Sequence, residues 1–103
     1  MSKVIDIGKD FSPTPAGRFP SEGPFSGEAF RERLLVPALA ETKSLAIVLD
    51  NTEGYGSSFL EEAFGGLVRV HGFSPQELRQ RLRFVTSDPS LREEILSYID
   101  EAE

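Results

Sequence analysis

At 103 residues, with 39% hydrophobic and 27% charged side chains, the chain suits one compact core and carries too much apolar material for a disordered tail. Its 11 Lys and Arg against 17 Asp and Glu give a net charge of −6, opposite in sign to the footprint of a protein that grips a phosphate backbone, so nucleic acid is not expected as a partner. With no Cys and a single His, a disulfide framework, a thiol nucleophile, Cys-ligated zinc and a His-rich metal cluster are excluded.

Lys3 to Ile7 alternate polar and apolar with β-branched residues before Gly8, the pattern of a short edge strand with one wet face. Residues 8–27 then hold four Pro and four Gly, a density at which neither helix nor ladder persists, and a long loop is predicted. Phe11, Phe19 and Phe25 offer it anchors on the core; a ligand lid is the alternative use of such a loop. Ser26 can cap a helix over 27–40, with Glu28 in its first turn, Phe30, Leu34 and Ala38 on one face, and Pro37 kinking it near Leu34. Residues 44–50 follow, and their run of five apolar residues, 45–49, predicts a central strand covered on both faces. That run is far below the ~20 residues needed to cross a bilayer, and Met1-Ser2-Lys3 opens no signal-peptide core, so a soluble cytoplasmic protein is expected.

Residues 51–56 are turn formers leading into a second helix, where Ser58 and Glu61 have capping-box spacing. Two stripes, Phe59/Ala63/Leu67 and Leu60/Phe64/Val68, give this helix a broad apolar face, and its end is predicted near Gly72. Gly65 and Gly66 cost about 1 kcal/mol each in a helix interior relative to Ala, which points to a close approach by a neighbour. Ser74-Pro75-Gln76-Glu77 opens a short helix to about Gln80, residues 82–86 read as a third strand, and Asp88-Pro89 caps a last helix lined by Leu91, Ile95, Tyr98, Ile99 and Ala102. Strands alternating with helices give an α/β layer.

In open α/β sheets, functional groups gather where the central strands end and helices begin, which here is 50–58. Gly54 and Gly56 could let a backbone approach phosphate, but Gly-Tyr-Gly-Ser-Ser has no Lys and matches neither the P-loop nor the dinucleotide fingerprint. Asp50 could serve as a receiver-type phospho-acceptor, yet such a site needs further acidic metal ligands and a phosphate-pairing Lys, and the third strand ends in Thr86-Ser87. The remaining reading is a phosphorylatable Ser57 or Ser58 at the mouth of the second helix. Ser58 also reads as the plain N-cap, leaving Ser57, one residue outside the helix, without structural duty. His71 reads as a C-terminal helix residue rather than a base, and the basic stretch of Arg69, Arg79, Arg81 and Arg83 sits against six acids and one Arg in 88–103, either a partner-binding asymmetry or ordinary solvated faces.

Gly17-Arg18, the stretch Gly23-Pro24-Phe25-Ser26-Gly27-Glu28 with Phe30-Arg31, Ile47-Val48-Leu49-Asp50, and above all Ser57-Ser58-Phe59-Leu60-Glu61-Glu62-Ala63-Phe64-Gly65-Gly66-Leu67 resemble a bacterial STAS-like family of unknown function over about residues 17–86. The resemblance implies a small STAS-like α/β domain over 1–103, with a strand and Gly/Pro-rich loop in 1–27, a core in 28–103, and a mixed sheet with helices packed on it. STAS domains are the fold of the anti-sigma-factor antagonists, in which an Asp-Ser-Ser-Gly segment opens a helix and its first Ser is phosphorylated by a histidine-kinase-like ATPase that doubles as the anti-sigma factor. Carried over, that position is Ser57, with Gly56 in place of the Asp and Phe59 in place of the Gly. The resemblance thus implies a regulatory, partner-switching protein module rather than an enzyme, with no cofactor or metal, whose docking surface would include Asp50, Asn51, Glu53, Tyr55, Gly56, Phe59, Glu61 and Glu62. Two alternatives stand beside it: a sensor that binds a nucleotide or other anion on the 51–57 loop, and an adaptor indifferent to phosphorylation.

Overall fold

Three short apolar segments pair side by side in the computed structural model, which describes residues 2–102; Met1 and Glu103, the ends of the expected domain, lie outside the described residues. β1 (Ser2–Asp6), β2 (Ser44–Val48) and β3 (Leu82–Val85) form one sheet in that order. Every pairing is parallel, Ile5 opposite Ile47 and Ile47 opposite Phe84. The α/β class and the edge position of β1 are as the sequence indicates, but the sheet is wholly parallel rather than mixed.

Alternation along the strands decides which side is wet. Ile5, Leu45, Ile47 and Leu82 point into the core, whereas the register places Val4, Ala46 and Arg83 in one row of the opposite face, with Val48 and Val85 in another. Val4 is 63% and Val85 45% exposed, so that face is open to solvent. The expectation that β2 is covered on both sides therefore holds for one side only. A continuous apolar run does not distinguish the two cases, because Ala46 is shielded by its strand neighbours and valine suits a wet strand as readily as a dry one.

The helices cover the other face. α1 spans 27–41 and opens at Ser26, whose Oγ accepts the Ala29 N–H at 3.2 Å. Its middle, Arg31–Leu35, is a wide turn in which the Val36 N–H reaches the Arg31 carbonyl five residues back. Pro37, lacking the N–H that would have bonded Arg33, accounts for this widening where a kink is predicted. α2 spans 57–69, widened likewise at Glu61–Gly65, and its two apolar stripes are buried save for the half-buried Val68. Gly72, with φ of 75°, turns the chain out of α2 while its N–H and that of Phe73 return to the carbonyls of Val68 and Leu67.

α3 (Pro75–Arg81) is capped by Ser74 Oγ on the Glu77 N–H, and α4 (Pro89–Glu101) by the Asp88 side chain on the Ser90 N–H. α4 buries Ile95, Leu96 and Ile99, with Leu91 and Tyr98 half-buried beside them. The loop after β1 contains one wide turn, Ile7–Phe11, and one 3₁₀ turn, Pro20–Glu22. Of its aromatic rings, Phe11 packs on Phe30 at 5.3 Å and meets Phe25 edge-on at 5.6 Å, while Phe19 is 43% exposed and anchors nothing in the core.

Candidate functional site

The chain leaves β2 at Leu49, whose N–H still bonds the Val85 carbonyl at 3.0 Å. Asp50 then turns toward β3, its Oδ1 accepting the Thr86 hydroxyl at 2.7 Å and its Oδ2 the Ser87 N–H at 2.8 Å. The Thr86 bond first, and the Ser87 bond with it, hold this carboxyl below the ordinary aspartate range. Asn51 reaches the opposite way, Nδ2 donating to Asp6 Oδ2 at 2.6 Å. Adjacency of β1 thus brings Asp6 to the loop, yet the two acids tie the ends of the sheet instead of converging on a metal. Gly8 permits this crossing: a Cβ there would lie 1.9 Å from the Asn51 carbonyl oxygen.

Glu53, exposed, bonds through its N–H to the Pro13 carbonyl at 2.8 Å and so fastens the 51–56 turn to the loop after β1. Tyr55 closes the turn from inside. Its hydroxyl donates to the Leu49 carbonyl at 2.8 Å and its ring stacks on Phe59 at 6.1 Å, and burial pushes the phenol above its ordinary pKa. Between this turn and the start of α4 lies a shallow cleft of about 240 Å³, walled in part by Asp50, Glu53, Asp88 and Thr86.

At the head of α2 the structure moves the N-cap two positions back from the expected Ser58. Gly56, extended at φ −77° and ψ 150°, is the N-cap, and no side chain accepts there; its carbonyl takes the Leu60 N–H at 3.2 Å. Ser57 is therefore the first residue of the helix and Ser58 the second. The reciprocal half of the expected capping box is absent for a physical reason: the Glu61 carboxylate is drawn to Arg18 and Arg69 rather than back to the cap. Ser57 is exposed and Ser58 half-buried.

Two of the residues expected on a docking surface are internal. Phe59 is fully buried between Phe11, Phe30 and Tyr55. Glu62 is 5% exposed, and its Oε2 receives Arg31 Nη1 at 2.8 Å while its carbonyl receives the same nitrogen at 2.6 Å. Arg18 and Arg69 approach its other oxygen at 3.3 and 3.4 Å. Glu61, half-buried, completes the cluster: burial would raise its carboxyl, but hydrogen bonds from Arg69 and Arg18 outweigh that and hold it below the ordinary value. Outward from Arg31, Nε bonds Glu32 Oε2 at 2.7 Å, and His71 Nε2 meets the same oxygen at 2.6 Å. Acidic residues that read as surface are thus the inner half of an ion network joining α1, α2 and the 17–18 loop.

Room for that network comes from glycines. A Cβ on Gly66 would lie 2.0 Å from Arg31 Nη1, and one on Gly27 would lie 2.5 Å from the Phe59 carbonyl oxygen. The Gly65-Gly66 pair is the sequence signal for this close approach; nothing in the sequence says that the group received is a guanidinium. The basic stretch after α2 likewise divides between structural tasks, with Arg79 pairing with Asp100 and Arg81 bonding Glu77 and the last carbonyls of α1, those of Leu39 and Thr42.

α4 packs beside the middle of α2, where a Cβ on Gly65 would lie 3.4 Å from the Tyr98 carbonyl oxygen. The Tyr98 hydroxyl donates to Glu94 Oε2 at 2.7 Å. That bond to a carboxylate pushes the phenol up to about 12. Neither Tyr98 nor Glu94 was singled out for a site by spacing, because the two helices are far apart in sequence.

The family described as STAS-like domain of unknown function matches residues 26–92, from the N-cap of α1 into the first turn of α4. No curated protein and no solved structure matches the chain. Among the described residues no helix is long and apolar enough to cross a membrane.

Proposed function

Because the chain belongs to the family of STAS-like domains of unknown function, we propose that it is a regulatory protein-binding module of the anti-sigma-factor-antagonist kind, switched by phosphate on Ser57. The observation that carries this reading is the state of the two hydroxyls at the head of α2. Ser57 is exposed and relieved of capping by Gly56, whereas Ser58 is half-buried inside the first turn. An acceptor must be reachable and must be free to change charge without unmaking its helix.

The partner is a histidine-kinase-like ATPase acting also as the anti-sigma factor, and the module is its substrate rather than an enzyme. In the transfer, Ser57 Oγ attacks the γ-phosphorus of ATP, the bond from that phosphorus to the bridging oxygen breaks, ADP leaves, and the hydroxyl proton passes to a base of the ATPase. The product carries about −1.5 to −2 charges on Ser57, beside the unpaired N–H groups of the helix start. The docking surface is the turn formed by Asp50, Asn51, Glu53, Tyr55 and Gly56 together with Ser57. Phe59 and Glu62 support it from beneath. Its carboxylates call for a basic partner face, and a phosphate added there weakens docking by changing charge and shape together.

The anion-sensor alternative finds little support in the cleft at the strand ends, where Asp50, Glu53 and Asp88 would repel a nucleotide's phosphates. The test is incubation with the cognate ATPase and ATP, followed by intact-mass measurement, peptide mapping and size-exclusion chromatography. The expected result is one phosphate on Ser57, a complex before transfer and none after it. An unmodified mass together with no complex overturns the reading, and equal binding of Ser57→Ala and Ser57→Asp replaces it with the phosphorylation-independent adaptor.

A further inference from the structure

All-parallel sheets occur almost only with both faces covered, yet the helices of this one pack on a single face and leave the other open. The register makes the open face a patch two residues deep and three strands wide. Val4, Ala46 and Arg83 form its row toward the strand starts, and Asp6, Val48 and Val85 its row toward the strand ends. Its corners therefore alternate, with Val4 and Val85 on one diagonal and Arg83 and Asp6 on the other. Both corner valines are exposed. Arg83 is exposed too and has no hydrogen bond or ion pair among the described residues. The Asp6 carboxylate is fixed by the Lys9 N–H at 3.2 Å and by Asn51 Nδ2 at 2.6 Å, with no cationic side chain paired to it among the described residues. On a chain of net charge −6, these two rows carry one charge of each sign.

We propose that this face is the interface of a twofold dimer of the chain. A twofold axis between the two sheets along the Val4–Val85 diagonal sets each of these valines on its own counterpart and carries each Arg83 across to Asp6 of the other copy. The strands then cross steeply, one of the two ways in which sheets stack face to face, and a contact of this kind closes at two copies. No other twofold placement matches the charges. An axis along the strands sets Arg83 on Val4, and one across them sets it on Val85, in each case desolvating the guanidinium without a partner; the other diagonal sets Arg83 on Arg83 and Asp6 on Asp6. The patch offers six side chains per copy, well short of the 20–30 or so of a stable complex, so the dimer is a transient one with a Kd of about 0.1 mM. Because α2 packs on the opposite face of the sheet, the dimer leaves Ser57 open and does not depend on the phosphorylation reading.

Sedimentation equilibrium of the full chain from about 0.02 to about 1 mM tests this, with a rise from the monomer mass toward twice that value and a half-point at about 0.1 mM expected. Val4→Lys, Val85→Lys and Arg83→Asp alter exposed side chains, and each should weaken association by at least about tenfold. Asp6→Arg should do the same on its own, whereas equal amounts of Asp6→Arg and Arg83→Asp should form a mixed dimer over the parent's concentration range, since each then meets its opposite charge at both corners. A parent chain that stays monomeric at the highest concentration overturns the proposal and leaves the face to a different protein. A dimer that survives Val4→Lys, Val85→Lys and Arg83→Asp places the contact elsewhere and overturns it as well. With both charge variants folded, absence of the mixed dimer overturns the pairing of Arg83 with Asp6 and the proposal with it.

Discussion

Gly66 of α2 faces the guanidinium of Arg31 across the α1–α2 contact, so closely that a Cβ at position 66 would lie 2.0 Å from Nη1 and 2.8 Å from Cζ. Helix propensity alone favours Ala over Gly by about 1 kcal/mol in such an interior position. Arg31, however, is 3% exposed and holds both the carbonyl and the carboxylate of Glu62, so it cannot step aside without breaking charge-assisted bonds. Overpacking costs about 1–3 kcal/mol and losing such a bond about 1.5–3. Gly66→Ala is therefore expected to lose roughly 2 kcal/mol net, a fall in Tm on the order of 10 °C for a domain this size. A thermal melt in which the Ala variant is unchanged or raised would show that Arg31 relocates freely.

The same pair predicts an asymmetry between single and double replacement. Arg31→Met leaves Glu62 buried, with only the longer contacts from Arg18 and Arg69 at 3.3 and 3.4 Å, and should cost about 3 kcal/mol. Arg31→Met with Glu62→Met removes both buried charges, and Arg18 and Arg69, each about a third exposed, can turn to water. The double variant should recover most of the single loss, giving a coupling energy of about 1–3 kcal/mol in a double-mutant cycle by urea unfolding. Additive losses would mean that the pair does not act as a unit.

These two residues also show where reading the sequence stops. The strands, the four helices, the caps at Ser26, Ser74 and Asp88 and the close approach at Gly65-Gly66 follow from periodicity and from local chemistry carried within a few residues. What lay outside reach was set by distant partners. Glu61 has capping-box spacing, yet Arg18, 43 positions away, claims its carboxylate. Glu62 has the charge of a surface residue, yet Arg31, 31 positions away, takes it inside. The 51–56 turn is legible because a strand end and turn formers are local signals, whereas Tyr98 comes beside α2 at Gly65 only through the packing of α4 on α2.

The shifted cap gives a direct comparison between the two serines. Were Ser58 the N-cap, Ser58→Ala would cost about 1 kcal/mol. With Gly56 in that role and no side chain accepting, Ser57→Ala and Ser58→Ala should each leave stability within about 0.5 kcal/mol of the parent. Chemical denaturation of the two variants checks this, and a loss confined to Ser58→Ala would restore that residue as the cap. Phosphate transfer should then separate what stability does not, being abolished by Ser57→Ala and retained by Ser58→Ala.

Acid should act on the ion network before it acts on the core. Glu61 and Glu32 are both held below the ordinary glutamate value of 4.5, with burial opposed and outweighed by Arg69 and Arg18 for the first and by His71 and Arg31 for the second. A carboxyl depressed in the folded state binds its proton more readily when unfolded. Its contribution to stability is therefore complete above about pH 4.5 and is lost as the pH falls through the lower folded value. Unfolding free energy should accordingly decline on acidification below that point, and Glu61→Gln should lower the plateau at neutral pH while flattening the acid limb. Because Arg18 and Arg69 are partly solvated, with side chains 33% and 30% exposed, added salt should shrink the difference between parent and variant at pH 7. Parallel acid limbs for the two proteins in a pH series of urea unfolding curves would place the depressed carboxyl elsewhere, with Asp50 and Asp88, both held low by neighbouring hydroxyl and N–H donors, the next to replace.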